Sequence, residues 1–190
     1  MFHELWTSTG QLDDVCALVR QVKDLSGSLI ENGCWEGYST HRIANECYPE
    51  ILVCNDTWKG NVAESIATGV KNISEILVEQ RDVYGTFLQN MNTLTKGNFL
   101  PVRRDCLEWL QEYKEPIKFF YIDASHDYQS VLQTILLVKP LLVKGAMLCG
   151  DDFQNAHAGR SDLQGGVERA VRETCPGFKT RGNLWYWVTE

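Results

Sequence analysis

The chain has 190 residues, of which 44% are hydrophobic and 23% charged. That balance fits one folded domain and excludes disordered, collagen-like and coiled-coil classes. With 25 acidic against 18 basic residues the formal charge is -7, which argues against capture of nucleic acid through its phosphates and favours a small or neutral partner.

In chain order, Met1 to Trp6 has no basic region leading into an apolar core, so no signal peptide is expected. Apolar residues at Val15, Leu18, Val19, Val22 and Leu25 predict an amphipathic helix over 12–25. A short β-rich run, Ser28 to Gly33, follows. Ser39-Thr40 is expected to cap a helix reaching about Glu46, and Ile51 to Asp56 reads as a second strand. The next strand, Phe99 to Arg103, lies 42 residues further on, too far for a simple crossover. Helical patterns at 63–68 and 76–94 fill the gap, and 59–96 is read as a helical lid insertion over the carboxyl ends of the strands. Lys118 to Asp123 is the fourth strand. A helix over 130–142, stopped by Lys144-Gly145, leads to the fifth, Ala146 to Asp151. The polar run 154–164 reads as a loop, 167–173 as a helix, and 177–188 as two antiparallel strands about Gly182-Asn183.

Strands alternating with helices indicate βαβ units and a mostly parallel sheet. The apolar stretch from Val131 to Cys149 is broken by Gln133, Thr134, Lys139, Pro140, Lys144 and Gly145, so no membrane span is expected. Seven cysteines stand singly with no CxxC pair. They read as reduced thiols in a cytoplasmic protein, and a zinc site built on close thiolate pairs is excluded.

Candidate site residues gather at strand ends. After the first strand, Gly33 and Gly37 are four apart, not in the GxGxxG spacing of dinucleotide folds, and Glu31 beside them suits a cationic amino-acid moiety. Asp56 ends the second strand, where a carboxylate can accept both hydroxyls of a ribose; the competing reading is a helix cap. Trp58 either covers an adenine face or packs in the core. Asp105 meets an adenine amino group or caps the segment starting at Leu107. Asp123 and the pair Asp151-Asp152 end neighbouring strands. Three converging carboxylates would repel unless a hard divalent cation such as Mg²⁺ lies among them, or unless they cap helices and bind backbone amides.

The ordered set Glu-x-Gly-x-x-x-Gly-x-Ser-Thr (31–40), Asp-Thr-Trp-x-Gly (56–60), Ile-Asp-x-Ser-His-x-Tyr (122–128), Lys-Gly-Ala (144–146) and Gly-Asp-Asp-Phe (150–153) resembles the class I S-adenosylmethionine-dependent methyltransferases. The subgroup it resembles is that of the macrocin-type and catechol-type, metal-dependent O-methyltransferases, and the likeness covers nearly the whole chain. It implies an α/β, three-layer Rossmann-like fold with a seven-stranded, mostly parallel sheet of order 3-2-1-4-5-7-6 and an antiparallel C-terminal hairpin. It implies a cofactor site in which Glu31, Gly33 and Gly37 surround the methionine part; Trp35, Ser39 and Asp123 are expected among the cofactor-binding residues. Asp56 would then serve the ribose, with Trp58, Asp105 and Cys106 near adenine. Asp123, Asp151 and Asp152 map onto the metal carboxylates. Asn32 and Trp35 depart from the smaller residues common in this turn.

His126 is the base expected from spacing, since three residues past Asp123 its imidazole can fold back over the same cavity. His157 is the second choice. Together these residues point to a Mg²⁺-assisted O-methyltransferase acting on a small-molecule hydroxyl, such as a sugar, glycoside or catechol, with homo-oligomerisation left open. The alternative is a nucleoside or S-adenosylmethionine-binding module without chemistry. A nicotinamide oxidoreductase is disfavoured by the absent GxGxxG.

Overall fold

The computed structural model describes residues 1–154 and 165–190. Its centre is a seven-stranded sheet of order β3-β2-β1-β4-β5-β7-β6. The strands are β1 (Ser28–Asn32), β2 (Leu52–Asp56), β3 (Phe99–Arg103), β4 (Ile117–Ile122), β5 (Leu142–Gly150), β6 (Lys179–Arg181) and β7 (Leu184–Val188). The first five run parallel, while β7 pairs antiparallel with both β5 and β6. The expected order and hairpin are therefore those observed.

Consecutive residues of the central strands feed opposite faces, as the two-residue period of a strand requires. Leu29, Phe119, Tyr121 and Met147 face one layer, with α1 (Thr9–Gln21), α2 (Tyr38–Cys47) and α5 (Val83–Leu94) supplying Val15, Leu18, Ile43, Phe87 and Met91. Ile30, Phe120, Ile122 and Leu148 face the other, against α6 (Cys106–Glu112), α7 (Tyr128–Val138) and α8 (Gly166–Thr174). All six residues of β4 are buried, which is why the run is apolar without alternation apart from Lys118, whose ammonium is paired with Glu50 and donates to the Leu25 carbonyl. Each large side chain so buried is worth about 1.5–3 kcal/mol.

Several boundaries differ from the sequence expectation. The first helix starts earlier and stops sooner than 12–25, because Ser8 caps it by accepting from the Gln11 amide. The cap of α2 is Gly37, not Ser39, and it sits in the left-handed region at φ 89. A Cβ there would press to 3.1 Å from Met91 Sδ and 3.2 Å from Phe87, so conformation favours glycine and a side chain would also be crowded. The pattern over 76–94 is two helices, α4 (Ile73–Gln80) and α5, divided where Asp82 caps the second by accepting from the Gly85 amide. The seventh helix is capped by Asp127, and after it a 3₁₀ turn at Lys139–Leu141 leads straight into β5. Lys144-Gly145 therefore lies inside the strand rather than stopping a helix.

The insertion comprises α3 (Val62–Thr68), α4 and α5. Val83, Phe87 and Met91 of α5 are core residues, so only α3, α4 and their loops stand over the strand ends. Beyond Gln154, the stretch expected as a polar loop lies outside the described residues. Among the described residues no helix is long and apolar enough to cross a membrane.

Candidate active site

A cavity of about 710 Å³ opens at the carboxyl ends of the strands, lined from β1, β2 and β4, from Asp151 and Asp152 just after β5, from the start of α3, and from residues before α1. This is the edge at which open α/β sheets bind ligands.

The turn after β1 is held by a latch. Asp56 Oδ2 accepts the backbone amides of Cys34 at 2.8 Å and Trp35 at 2.9 Å, and Oδ1 accepts that of Trp58 at 2.7 Å. Trp35 is left-handed at φ 47, a costly conformation that these bonds maintain. Burial pushes the Asp56 carboxyl up, opposed by the same amides. A carboxylate has about four acceptor positions; three are spent on the backbone here, so the expected pair of bonds to a ribose cannot both form without releasing part of the latch.

Gly33 also has a backbone reason. At φ 95, a Cβ on it would collide with the Asp123 carbonyl group. Its amide donates to Asn55 and the Asp123 amide donates to Asn32, so β1, β2 and β4 converge on this residue. Gly37 is outside the lining of the cavity, as is Trp58. Trp58 is buried against Tyr84 and Phe87, with its indole N–H donating to the Trp35 carbonyl at 2.8 Å. Of the two readings open for Trp58, this burial fits packing in the core.

Glu31 is fully buried, and Oε1 accepts from Ser39 Oγ at 2.5 Å. Its Oε2 has no partner among the described residues. Burial, opposed by the Ser39 bond, pushes the carboxyl up to about 7. Glu31, like Gly37 and Trp58, is outside the lining of the cavity, so this orphaned acceptor, whose charge suits the ammonium of a methionine moiety, lies behind the turn rather than on the cavity wall. Asp105 caps α6, accepting the amides of Leu107 and Glu108 on Oδ1. It lines the cavity together with Cys106, whose thiol is pushed up by burial.

The acidic edge departs most from the sequence expectation. Asp123, His126 and Asp152 each present a ligand atom within 4.8 Å of the others, whereas Asp151 is not in that group. Among the described residues the grouped atoms are thus two carboxylates and a histidine, with Asp151 next to them in the chain. Asp152 stands in the left-handed region at φ 61, its amide donating to Asp151 Oδ1 at 2.6 Å. That backbone turn carries its carboxylate to 2.6 Å from His126 Nε2. On its other side, His126 Nδ1 lies 2.8 Å from Glu64 Oε1. Burial and the charges of Asp151 and Asp152 hold the Asp123 carboxyl well above its ordinary value. Burial opposes charge on His126, but Asp152 and Glu64 outweigh it and hold the imidazole well above its usual range. The two carboxylates thus favour the charged ring while the cluster holds no cation. A positive charge among these carboxylates would reverse that. Two carboxylates, a third beside them and an imidazole form an oxygen-rich donor set that fits a hard divalent ion.

Glu64 went unread in the sequence, since nothing local marks a contact to a residue 62 positions away. The N-terminal segment was also missed as a contributor. Trp6 stacks on Trp35 at 4.8 Å, and Glu4 accepts from the Trp35 indole and pairs with Arg81. His157 lies outside the described residues. His3 and His41 make ordinary hydrogen bonds, to Glu36 and to the Gly37 carbonyl.

Strand order, antiparallel hairpin and a cavity at the switch of the sheet define a class I methyltransferase fold. A family model described as a methyltransferase domain matches residues 30–153, and the chain belongs to that family, whose members are S-adenosylmethionine-dependent methyltransferases. Among solved structures it is similar to CalS11, a calicheamicin methyltransferase, at TM-score 0.64 and 19% identity over 94% of this chain and 78% of that one. It is similar to an O-methyltransferase from Bacillus cereus in complex with SAH, at TM-score 0.59 and 17% identity over 100% and 84%. It is also similar to the N-methyltransferase NodS from Bradyrhizobium japonicum WM9, at TM-score 0.59 and 13% identity over 96% and 99%. No curated protein sequence matches the chain.

Proposed function

We propose that the chain is a Mg²⁺-assisted O-methyltransferase that uses S-adenosylmethionine to methylate a hydroxyl of a small molecule of the sugar, glycoside or catechol kind. The observation that carries this reading is the meeting of Asp123, His126 and Asp152 in the same cavity as the turn from Gly33 to Trp35. The fold alone does not select oxygen, because the N-methyltransferase NodS shares it. Clustered carboxylates do favour oxygen, since a cation held there is suited to a hydroxyl or vicinal diol.

Methyl transfer from a sulfonium is an in-line displacement, so the main task of the protein is to hold donor and acceptor at near-attack distance. Gly33, Trp35 and Asp56 shape the donor side, and Glu31, behind the turn, supplies the charge that suits the donor's ammonium. Asp123 and Asp152, with Asp151 adjacent, would hold the cation, whose chemistry is to lower the pKa of the acceptor hydroxyl. His126 would be the group to accept the hydroxyl proton where such a charge offsets Glu64 and Asp152, a contribution of about 10²–10⁴-fold. The first turns of α3 and α4, with Trp6, serve as the lid.

One observation favours the reading of a binding module without chemistry: His126 between Glu64 and Asp152 already compensates part of the acidic charge. Calorimetry with S-adenosylmethionine, followed by assays for S-adenosylhomocysteine formation from catechols and glycosides, separates the two. The expected result is Mg²⁺-dependent turnover, lost in chelator and lowered in His126→Ala, while donor binding persists. Donor binding with no turnover on any acceptor, with or without Mg²⁺, would favour the binding module.

A further inference from the structure

Asn55, the last residue but one of β2, is buried and lines the cavity together with Arg104, Asp105 and Cys106. Its Nδ2 donates to two backbone carbonyls, that of Val102 in β3 at 3.2 Å and that of Arg104 just after it at 3.1 Å. Both carbonyls can only accept, so the amide has one orientation, nitrogen towards β3 and oxygen away from it. Its backbone carbonyl is spent on the turn after β1, accepting the Gly33 amide at 2.9 Å. Oδ1 is left with no partner among the described residues. A buried acceptor in that state costs free energy, which a ligand recovers if it brings a donor to the cavity wall.

The place of Asn55 selects the part of the donor it meets. Consecutive side chains of a strand leave on opposite faces. Asp56 accordingly turns to the amides of Cys34, Trp35 and Trp58, while Asn55 turns to the end of β3. With the ribose at Asp56, the base attached to it meets the wall built by Asn55 and the residues after β3. The neighbouring carboxylate on that wall, Asp105, already accepts the Leu107 and Glu108 amides on Oδ1. In an adenine joined to ribose every ring nitrogen lacks a hydrogen, so the 6-amino group is the one N–H donor the base can offer to an acceptor such as Oδ1.

We infer that Asn55 is a specificity-determining residue of the donor site: Oδ1 accepts from the adenine 6-amino group while Nδ2 braces the end of β3, so that adenine is selected over a purine without that group. The inference rests on the donor half of the proposed function and is independent of the cation, the acceptor and the base.

The test is calorimetry on the full chain with S-adenosylhomocysteine and with its 6-deaminated analogue, in which a hydrogen replaces the amino group. Wild type is expected to bind the deaminated ligand roughly 10–100-fold less tightly, the usual effect of leaving a buried acceptor unpaired. Asn55→Ala should bind S-adenosylhomocysteine less tightly and bring the two affinities together. A merely structural role for Asn55 would weaken both ligands alike and keep their ratio. Should Asn55→Ala not fold, Asn55→Ser, whose hydroxyl can still donate to β3 but ends short of the Oδ1 position, takes its place with the same expected loss of discrimination. The inference is overturned if wild type binds both ligands equally, or if the alanine or serine variant keeps the wild-type ratio, as it would were Asp105 the residue that meets the amino group. Failure of wild type to bind S-adenosylhomocysteine would overturn it together with the donor half of the proposed function. Full discrimination with no methyl transfer on any acceptor would instead count against the acceptor half alone.

Discussion

The guanidinium of Arg81 lies 2.9 Å from the carboxylate of Glu36, which is wholly buried. Arg81 also pairs with Glu4, and Glu36 accepts from the backbone and ring of His3. One buried ion pair therefore joins the turn after β1, the end of α4 and the segment before α1. Removing Arg81 leaves the wholly buried Glu36 with only the amide and ring of His3 as partners. Arg81→Ala is expected to cost about 3–5 kcal/mol, measured by denaturant unfolding. The double variant Arg81→Met with Glu36→Gln should cost less than Arg81→Ala alone, because it removes both charges.

Glu31 gives a pH dependence whose sign follows from its burial. Its ordinary value of 4.5 is pushed up to about 7 in the fold, so the folded chain binds more protons than the unfolded one between these limits. Stability is therefore expected to fall as pH rises from about 4.5 to 7, by roughly 3 kcal/mol at most. Glu31→Gln should flatten that decline in thermal melts. In its proposed role Glu31 must be ionised to hold an ammonium, so wild-type affinity for S-adenosylmethionine should rise across the same window and that of Glu31→Gln should not.

Gly33→Ala tests whether this glycine serves the backbone or a ligand. With φ 95 and a Cβ directed into the Asp123 carbonyl, the variant is expected to lose at least about 3 kcal/mol, or to fail to fold, with or without S-adenosylmethionine. A stable variant that merely binds the cofactor less well would show that the convergence of β1 and β4 is not what demands glycine.

For the cation, the tertiary grouping and the sequence motif make different predictions. Mn²⁺ binding by calorimetry should weaken by at least 10-fold in Asp123→Asn and Asp152→Asn, whose carboxylates belong to the cluster. Asp151→Asn should weaken it less, since Asp151 bonds the Asp152 amide. Equal losses in all three variants would restore the three-carboxylate site, and binding retained in all three would remove the site altogether.

Much of this fold is legible in one dimension. Pairs such as Leu29 and Ile30, or Phe119 and Phe120, feed both faces of the sheet, and such runs are apolar in the sequence because no residue in them reaches water. Aspartates at strand ends mark the edge where the site forms, and their order along the chain carries the family likeness. Tertiary structure alone decided how those residues are used. Gly37 rather than Ser39 caps α2 because the turn enters the helix through a left-handed residue there, beside Met91 and Phe87, about fifty residues away, which would crowd a side chain. Trp58 became core once Tyr84 and Phe87 closed over it, and Asp56 spends most of its acceptors on backbone amides that only the folded turn brings near. Above all, Glu64 meets His126, and Asp152 leaves the strand with a left-handed turn, through contacts between elements. Local sequence encodes burial and helix or strand period, which act over a few residues. The partners of a buried polar group are chosen by whichever donors and acceptors the packed elements bring within about 3 Å, and that geometry exists only after the insertion has settled on the end of the sheet.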